Sequence, residues 1–132
     1  MRHLRFGVLH LLGVIFVTAI LGGAAAAQSE SKPKRLRAPA TVRGLVGGEA
    51  NDTYVVHVQK GRLLTVQLSW RNEDNNTASF SVGNSPTLEP VAFGQESNAG
   101  RKWMGRIPRT GDYFIEVVAH PAAHYTLKIL LK

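Results

Sequence analysis

The nine residues Thr110-Gly111-Asp112-Tyr113-Phe114-Ile115-Glu116-Val117-Val118 constrain the fold more than any other part of the chain. A Thr-Gly-Asp turn signal runs directly into strict alternation, with Tyr113, Ile115, Val117 and Ala119 on one face. After a short break Tyr125, Leu127, Ile129 and Leu131 continue with the same period of two. A period of two is the mark of a strand with one face buried and one solvated, and two such runs in sequence predict an antiparallel pair. A helix would need apolar residues three and four apart, and no segment of the body combines that spacing with capping residues at its ends. The expectation is therefore an all-β module whose function sits on loops.

The amino terminus has a different character. Arg2, His3 and Arg5 precede an apolar run from Phe6 to Leu21, and Ala24 to Ala27 supply the small residues a signal peptidase requires. Residues 1–27 are predicted to be a signal peptide cleaved after Ala27; an uncleaved anchor over Phe6 to Ala27 is the alternative. The expected location is the periplasm or outside the cell. The remaining 105 residues suit one domain, residues 40–132, with a single core. There is no cysteine, so neither disulfides nor a lipoprotein anchor is available, and stability must come from apolar packing and strand pairing. This fits a bacterial envelope protein, and the Asn51-Asp52-Thr53 and Asn75-Asn76-Thr77 sequons are read as chance.

The net charge of +7 is unevenly spread. Without Arg2 and Arg5 the balance is 14 basic against 9 acidic residues, and from Ala38 onward it is 10 against 8. Lys32, Lys34, Arg35 and Arg37 carry most of the excess, punctuated by Pro33 and Pro39. Residues 28–39 thus read as a basic, disordered arm, able at most to touch an anionic surface such as a membrane electrostatically. Nucleic acid is not expected as a partner, because no aromatic residue interleaves with these cations.

The body divides into about eight strands. They are Thr41 to Val46, Thr53 to Gln59, Leu63 to Trp70, a short strand at Ala78 to Val82, a weak one at Val91 to Phe93, the Trp103 to Ile107 segment and the two closing runs. Gly47-Gly48, Lys60-Gly61, Arg71 to Thr77, Gly83 to Pro90, Gly94 to Gly100 and Pro108 to Asp112 read as connections. Strands at this spacing predict a two-sheet antiparallel β-sandwich.

The Asp52-Thr53-Tyr54 segment, Lys60-Gly61 opening a strand, and Thr110-Gly111-Asp112-Tyr113 before a tail containing Tyr125-Thr126-Leu127 resemble the bacterial pre-peptidase C-terminal domain superfamily. The resemblance covers Ala40 to Lys132 and implies a jelly-roll-like sandwich. A signal peptide followed by one such domain is most similar to the periplasmic inhibitors of goose-type lysozyme, which implies a muramidase as protein partner. Two positions depart from that pattern. Gly48-Glu49-Ala50 stands where the inhibitors carry an aromatic residue, and His120-Pro121-Ala122-Ala123-His124 replaces a longer, arginine-bearing loop. No contact residue of the inhibitors carries over onto a matching position.

Catalysis finds little footing. Ser69, Ser79, Ser81, Ser85 and Ser97 lie in no nucleophile motif, and Asp52, Asp112 and Glu116 are the only conceivable paired carboxylates. His120 and His124 are four apart, a zinc spacing on a helix but not in a proline-containing turn. Glu73-Asp74-Asn75-Asn76 lacks the ligand spacing of a calcium loop. No cofactor and no metal are expected. Trp70 and Trp103 lie in phase with aliphatic neighbours and are assigned to the core, the alternative being a sugar-stacking platform.

If every connection reverses the chain, alternate loops gather at opposite ends. One end then collects Gly47 to Asn51, Arg71 to Thr77, Gly94 to Lys102 and His120 to His124. A basic protrusion from it would suit a cleft holding a catalytic carboxylate. Arg71, Arg101 and Lys102 are the candidate partner-binding residues, with His120 and Glu49 beside them. Non-catalytic binding of carbohydrate or cell wall is the second reading. Pairing through outward Phe114, Val118 and Leu130 is the third, with a monomer or weak dimer expected.

Overall fold

A computed structural model describes residues 32–132; the predicted signal peptide, with residues 28–31, lies outside the described residues. Nine strands are present among them: β1 (Lys34–Leu36), β2 (Ala40–Gly47), β3 (Asp52–Val58), β4 (Leu63–Trp70), β5 (Thr77–Gly83), β6 (Gln95–Ser97), β7 (Lys102–Arg106), β8 (Gly111–His120) and β9 (Ala122–Leu131). They form a four-stranded sheet in the order β1-β3-β8-β5 and a five-stranded sheet in the order β2-β9-β4-β7-β6. Every pairing is antiparallel except that of β1 with β3. The fold is a β-sandwich of the jelly-roll-like kind.

Alternation places the core. Tyr54, Val56 and Val58 of β3, Leu64, Val66 and Leu68 of β4, Tyr113, Ile115 and Val117 of β8, and Tyr125, Leu127 and Ile129 of β9 are all buried between the sheets. Apolar area removed from water at about 25 cal/mol per Å² is the main driving term for such a chain, which has no cross-link to assist it.

Four expectations are corrected. The closing runs do not pair: β8 belongs to the four-stranded sheet and β9 to the five-stranded one, with Pro121 alone between them. The period of two reports which face is buried and is silent about the neighbouring strand. Second, the weak strand at Val91 to Phe93 is absent, and Gln95–Ser97 within the expected Gly94 to Gly100 loop forms β6 instead. This strand is an exposed edge, so its all-polar sequence carries no alternation to read.

Third, Phe114, Val118 and Leu130 do not share a face. Val118 and Leu130 lie on different sheets, and Phe114 is only 9% exposed. Phe114 stands opposite both Val55 and Gly83, and the backbone of Leu88 comes within 2.9 Å of where a Gly83 Cβ would be. The 84–90 connection therefore folds over the outer face of the four-stranded sheet beside Phe114, rather than staying wholly at its end of the sandwich.

Fourth, part of the expected basic arm is ordered, since Lys34–Leu36 runs parallel to β3 as β1. Besides the backbone ladder, the guanidinium of Arg35 donates to both carboxylate oxygens of Asp112, at 3.2 and 2.9 Å. His57 Nδ1 lies 3.0 Å from the same carboxylate. The bonds from Arg35, then from His57, hold the Asp112 carboxyl down from the ordinary 3.8 to about 2. A depressed carboxylate contributes stability that is complete above its unfolded pKa and lost as pH falls through its folded one. The anchoring of β1 is thus expected to be intact at pH 5 and to loosen as pH falls from about 4 to about 2. Amide NMR shifts of Lys34–Leu36 that stay constant to pH 2 would contradict this.

Candidate functional site at the loop end of the sandwich

Three of the four expected loops are tied together by backbone bonds. Gly48 N–H, with its residue at φ 64°, donates to Pro121 O at 2.7 Å. Arg71 N–H donates to His124 O at 3.0 Å. Asn76, a loop residue in the sequence reading, is buried and links the loops through its side chain. Its amide donates to Arg71 O at 2.9 Å and Ala122 O at 3.0 Å, and its carbonyl accepts from Glu73 N–H at 3.1 Å. Both ends of the Asn76 amide are therefore engaged by backbone, and Glu73 pairs with Arg71 at 3.6 Å. Among the described residues no group of three or more His, Asp or Glu gathers as a metal site would require.

Beneath these loops lies a buried chain of hydroxyls. Tyr125 donates to the Asp52 carboxylate, so the remaining proton in the chain is that of Tyr54, which donates to Tyr125. Burial pushes both phenols up, and at Tyr125 the Asp52 carboxylate adds to it, so both stay protonated and serve as donors. Tyr125 also stands opposite Trp70 on one side and Gly44 on the other. A Cβ on Gly44 would lie 2.6 Å from the Tyr125 hydroxyl, so glycine is what lets the ring reach Asp52.

Each candidate residue can now be placed. Arg71 directly follows Trp70 at the end of β4 and is exposed. The Arg101 guanidinium lies 4.0 Å over the Trp70 ring, and Arg101 O accepts from Leu68 N–H at 2.8 Å, which fixes the 98–101 turn beside β4. Arg101 therefore stacks on the tryptophan that Arg71 follows in the chain, while the Arg71 guanidinium pairs with Glu73. Glu49 sits in the exposed turn that Gly48 pins to Pro121, and His120 closes β8 next to it. Lys102 differs. It belongs to β7, opposite Gln67 and Ser97, and its side chain joins the outer face of the five-stranded sheet rather than the tip.

The tryptophans separate. Trp103 is core, packed edge-on to Phe93 with centroids 5.9 Å apart. Trp70 is half-buried at the loop end. Its pairing with Arg101 was missed because thirty-one positions separate them and the contact depends on β4 and β7 being neighbours. Of the conceivable acids, Asp112 is occupied by Arg35 and His57, and Glu116 accepts from the Asn51 side chain at 3.1 Å. Neither forms a carboxylate pair with Asp52, which holds Tyr125.

The two-sheet sandwich has the fold seen in solved structures of a pre-peptidase C-terminal domain and of periplasmic lysozyme inhibitors. The chain is similar to the periplasmic inhibitor of g-type lysozyme PliG from Aeromonas hydrophila, at 20% identity and a TM-score of 0.56, covering 76% of this chain and 100% of that one. It is similar to the PliG of Salmonella Typhimurium at 18% identity and a TM-score of 0.55, over 76% and 100%. The pre-peptidase C-terminal domain of collagenase from Bacillus anthracis matches at 17% identity and a TM-score of 0.56, over 74% and 94%. No protein-family profile and no curated protein sequence matches the chain.

Proposed function

We propose that this chain is an exported binding module that inhibits a goose-type lysozyme or a related envelope-directed muramidase, using the loop end of the sandwich. The observation that carries the reading is the Arg101 guanidinium stacked on Trp70, in a turn fixed by Leu68 N–H, with Arg71 next to that tryptophan in the chain on a loop whose backbone Asn76 holds. A muramidase cleft presents catalytic carboxylates, and an arginine that enters it gains a bidentate, charge-assisted bond in a desolvated site. An arginine already stacked on an indole loses less side-chain entropy on docking than a free one. The sandwich likeness to two inhibitors of g-type lysozyme supports the choice of target. Cleavage after Ala27 and release into the periplasm complete this reading, with a monomer or weak dimer as the working form.

The test is the triple replacement of Arg71, Arg101 and Lys102 by alanine. It is expected to weaken binding to goose-type lysozyme at least a hundredfold. The melting temperature should fall by only a few degrees, because loss of an exposed cation–π contact costs about 0.5–1 kcal/mol. Undiminished binding by a folded triple variant would remove the loop end from the interface.

A further inference from the structure

The outer face of the five-stranded sheet holds a second cluster of charge. Gln67 on β4 stands opposite Lys102 on β7 and opposite Lys128 on β9. Two ammonium-bearing stems thus flank one amide across three strands, with backbones about 10 Å apart at two strand spacings. Arg43 on β2 stands opposite Thr126 on β9, which makes it the diagonal neighbour of Lys128. Arg101, preceding Lys102, closes the same groove. The groove has a volume of about 800 Å³ and no carboxylate lines it. The nearest acid on β6, Glu96, is paired with the buried Trp103 and so projects to the other side of the sheet. None of Arg43, Arg101, Lys102 and Lys128 forms an ion pair among the described residues.

Three cations on one sheet face, Arg43, Lys102 and Lys128, with Arg101 at its end, repel one another at some cost, which a bound polyanion removes. The remaining lining is chemically specific. Ser97, Thr126 and the Gln67 amide offer both donors and acceptors, as sugar hydroxyls require, and no aromatic ring lies in the groove to stack a base. We propose that this groove binds an anionic saccharide, a chain whose sulfate, phosphate or carboxylate groups meet Arg43, Lys128 and Lys102 while its hydroxyls bond to the polar side chains between them. The groove shares Arg101 and Lys102 with the muramidase reading, whereas Arg43 and Lys128 play no part in that reading and separate the two in a test.

The probe is a heparin-derived octasaccharide, titrated by calorimetry into the purified protein at low salt, with a neutral dextran oligosaccharide and polyglutamate of similar length as controls. The octasaccharide is expected to bind, and dextran is not. Polyglutamate should bind at least tenfold more weakly. The double variant Arg43→Gln, Lys128→Gln should bind the octasaccharide at least tenfold more weakly than wild type while retaining its affinity for goose-type lysozyme. Amide shift changes in the wild-type protein should centre on Gln67, Thr126 and Lys128, a readout that needs no variant to fold. Equal affinity for polyglutamate would reduce the groove to unspecific charge. An unchanged double variant, or shift changes confined to residues 32–37, would assign the binding to the basic segment and overturn the proposal.

Discussion

Trp103→Ala is expected to destabilise the protein by about 3–5 kcal/mol, the range for deleting a buried tryptophan. The indole is 6% exposed and occupies a slot built by absence. A Cβ on Gly94 would lie 2.4 Å from the ring and one on Gly105 2.5 Å from it. Gly94 also has φ 95°, a conformation that residues with a Cβ rarely adopt. Two glycines and the edge of Phe93 thus fit this ring and no smaller one, so the walls have little side chain with which to fill the void. In a domain of this size the loss corresponds to a fall in Tm of at least about 12 °C. A variant that melted within a degree or two of wild type would show that the ring is not part of the core.

The second large effect is expected at Gly44. Gly44→Ala introduces a methyl group 2.6 Å from the Tyr125 hydroxyl and 2.8 Å from two ring carbons. The ring cannot simply swing away, because it is buried between the sheets and its hydroxyl holds Asp52 and receives Tyr54. Overpacking typically costs 1–3 kcal/mol, and hydrogen bonds to a charged group are worth about 1.5–3 kcal/mol. A total loss of about 2–4 kcal/mol follows, measurable by urea unfolding. The variant Gly44→Ala, Tyr125→Phe keeps the clash with the ring carbons and leaves Asp52 without its donor, so it is expected to be no more stable than Gly44→Ala alone. A single Gly44→Ala variant as stable as wild type would mean that the Tyr125 ring is free to move.

Sequence alternation located β3, β4, β8 and β9 because each buries one face, and Tyr54, Val56, Val58, Leu64, Val66 and Leu68 occupy the inward positions that their phase predicts. What it could not locate depends on partners distant in the chain. β1 is three residues, Lys-Arg-Leu, whose place is set by Arg35 reaching Asp112 seventy-seven positions away. The segregation of β8 and β9 into different sheets follows from pairings with β3, β5, β2 and β4, none of which leaves a local trace. The covering of Phe114 by the 84–90 connection is likewise a tertiary event. At the loop end, charge and turn residues pointed to Arg71 and Arg101 as candidates. The Trp70–Arg101 stack and the Asn76 bonds were not legible, since an amide in a polar loop looks solvated until its three backbone partners are known. Arg43 and Lys128 are brought together only by the register of β2 on β9.

One titration tests the proposed inhibition through the loop end. Purified protein is added to goose-type lysozyme acting on cell-wall peptidoglycan, with chicken-type lysozyme assayed in parallel. Saturable loss of goose-type activity at or below micromolar protein is expected, with no effect on the chicken-type enzyme. Full goose-type activity at micromolar protein, or equal inhibition of both enzymes, would contradict the proposal.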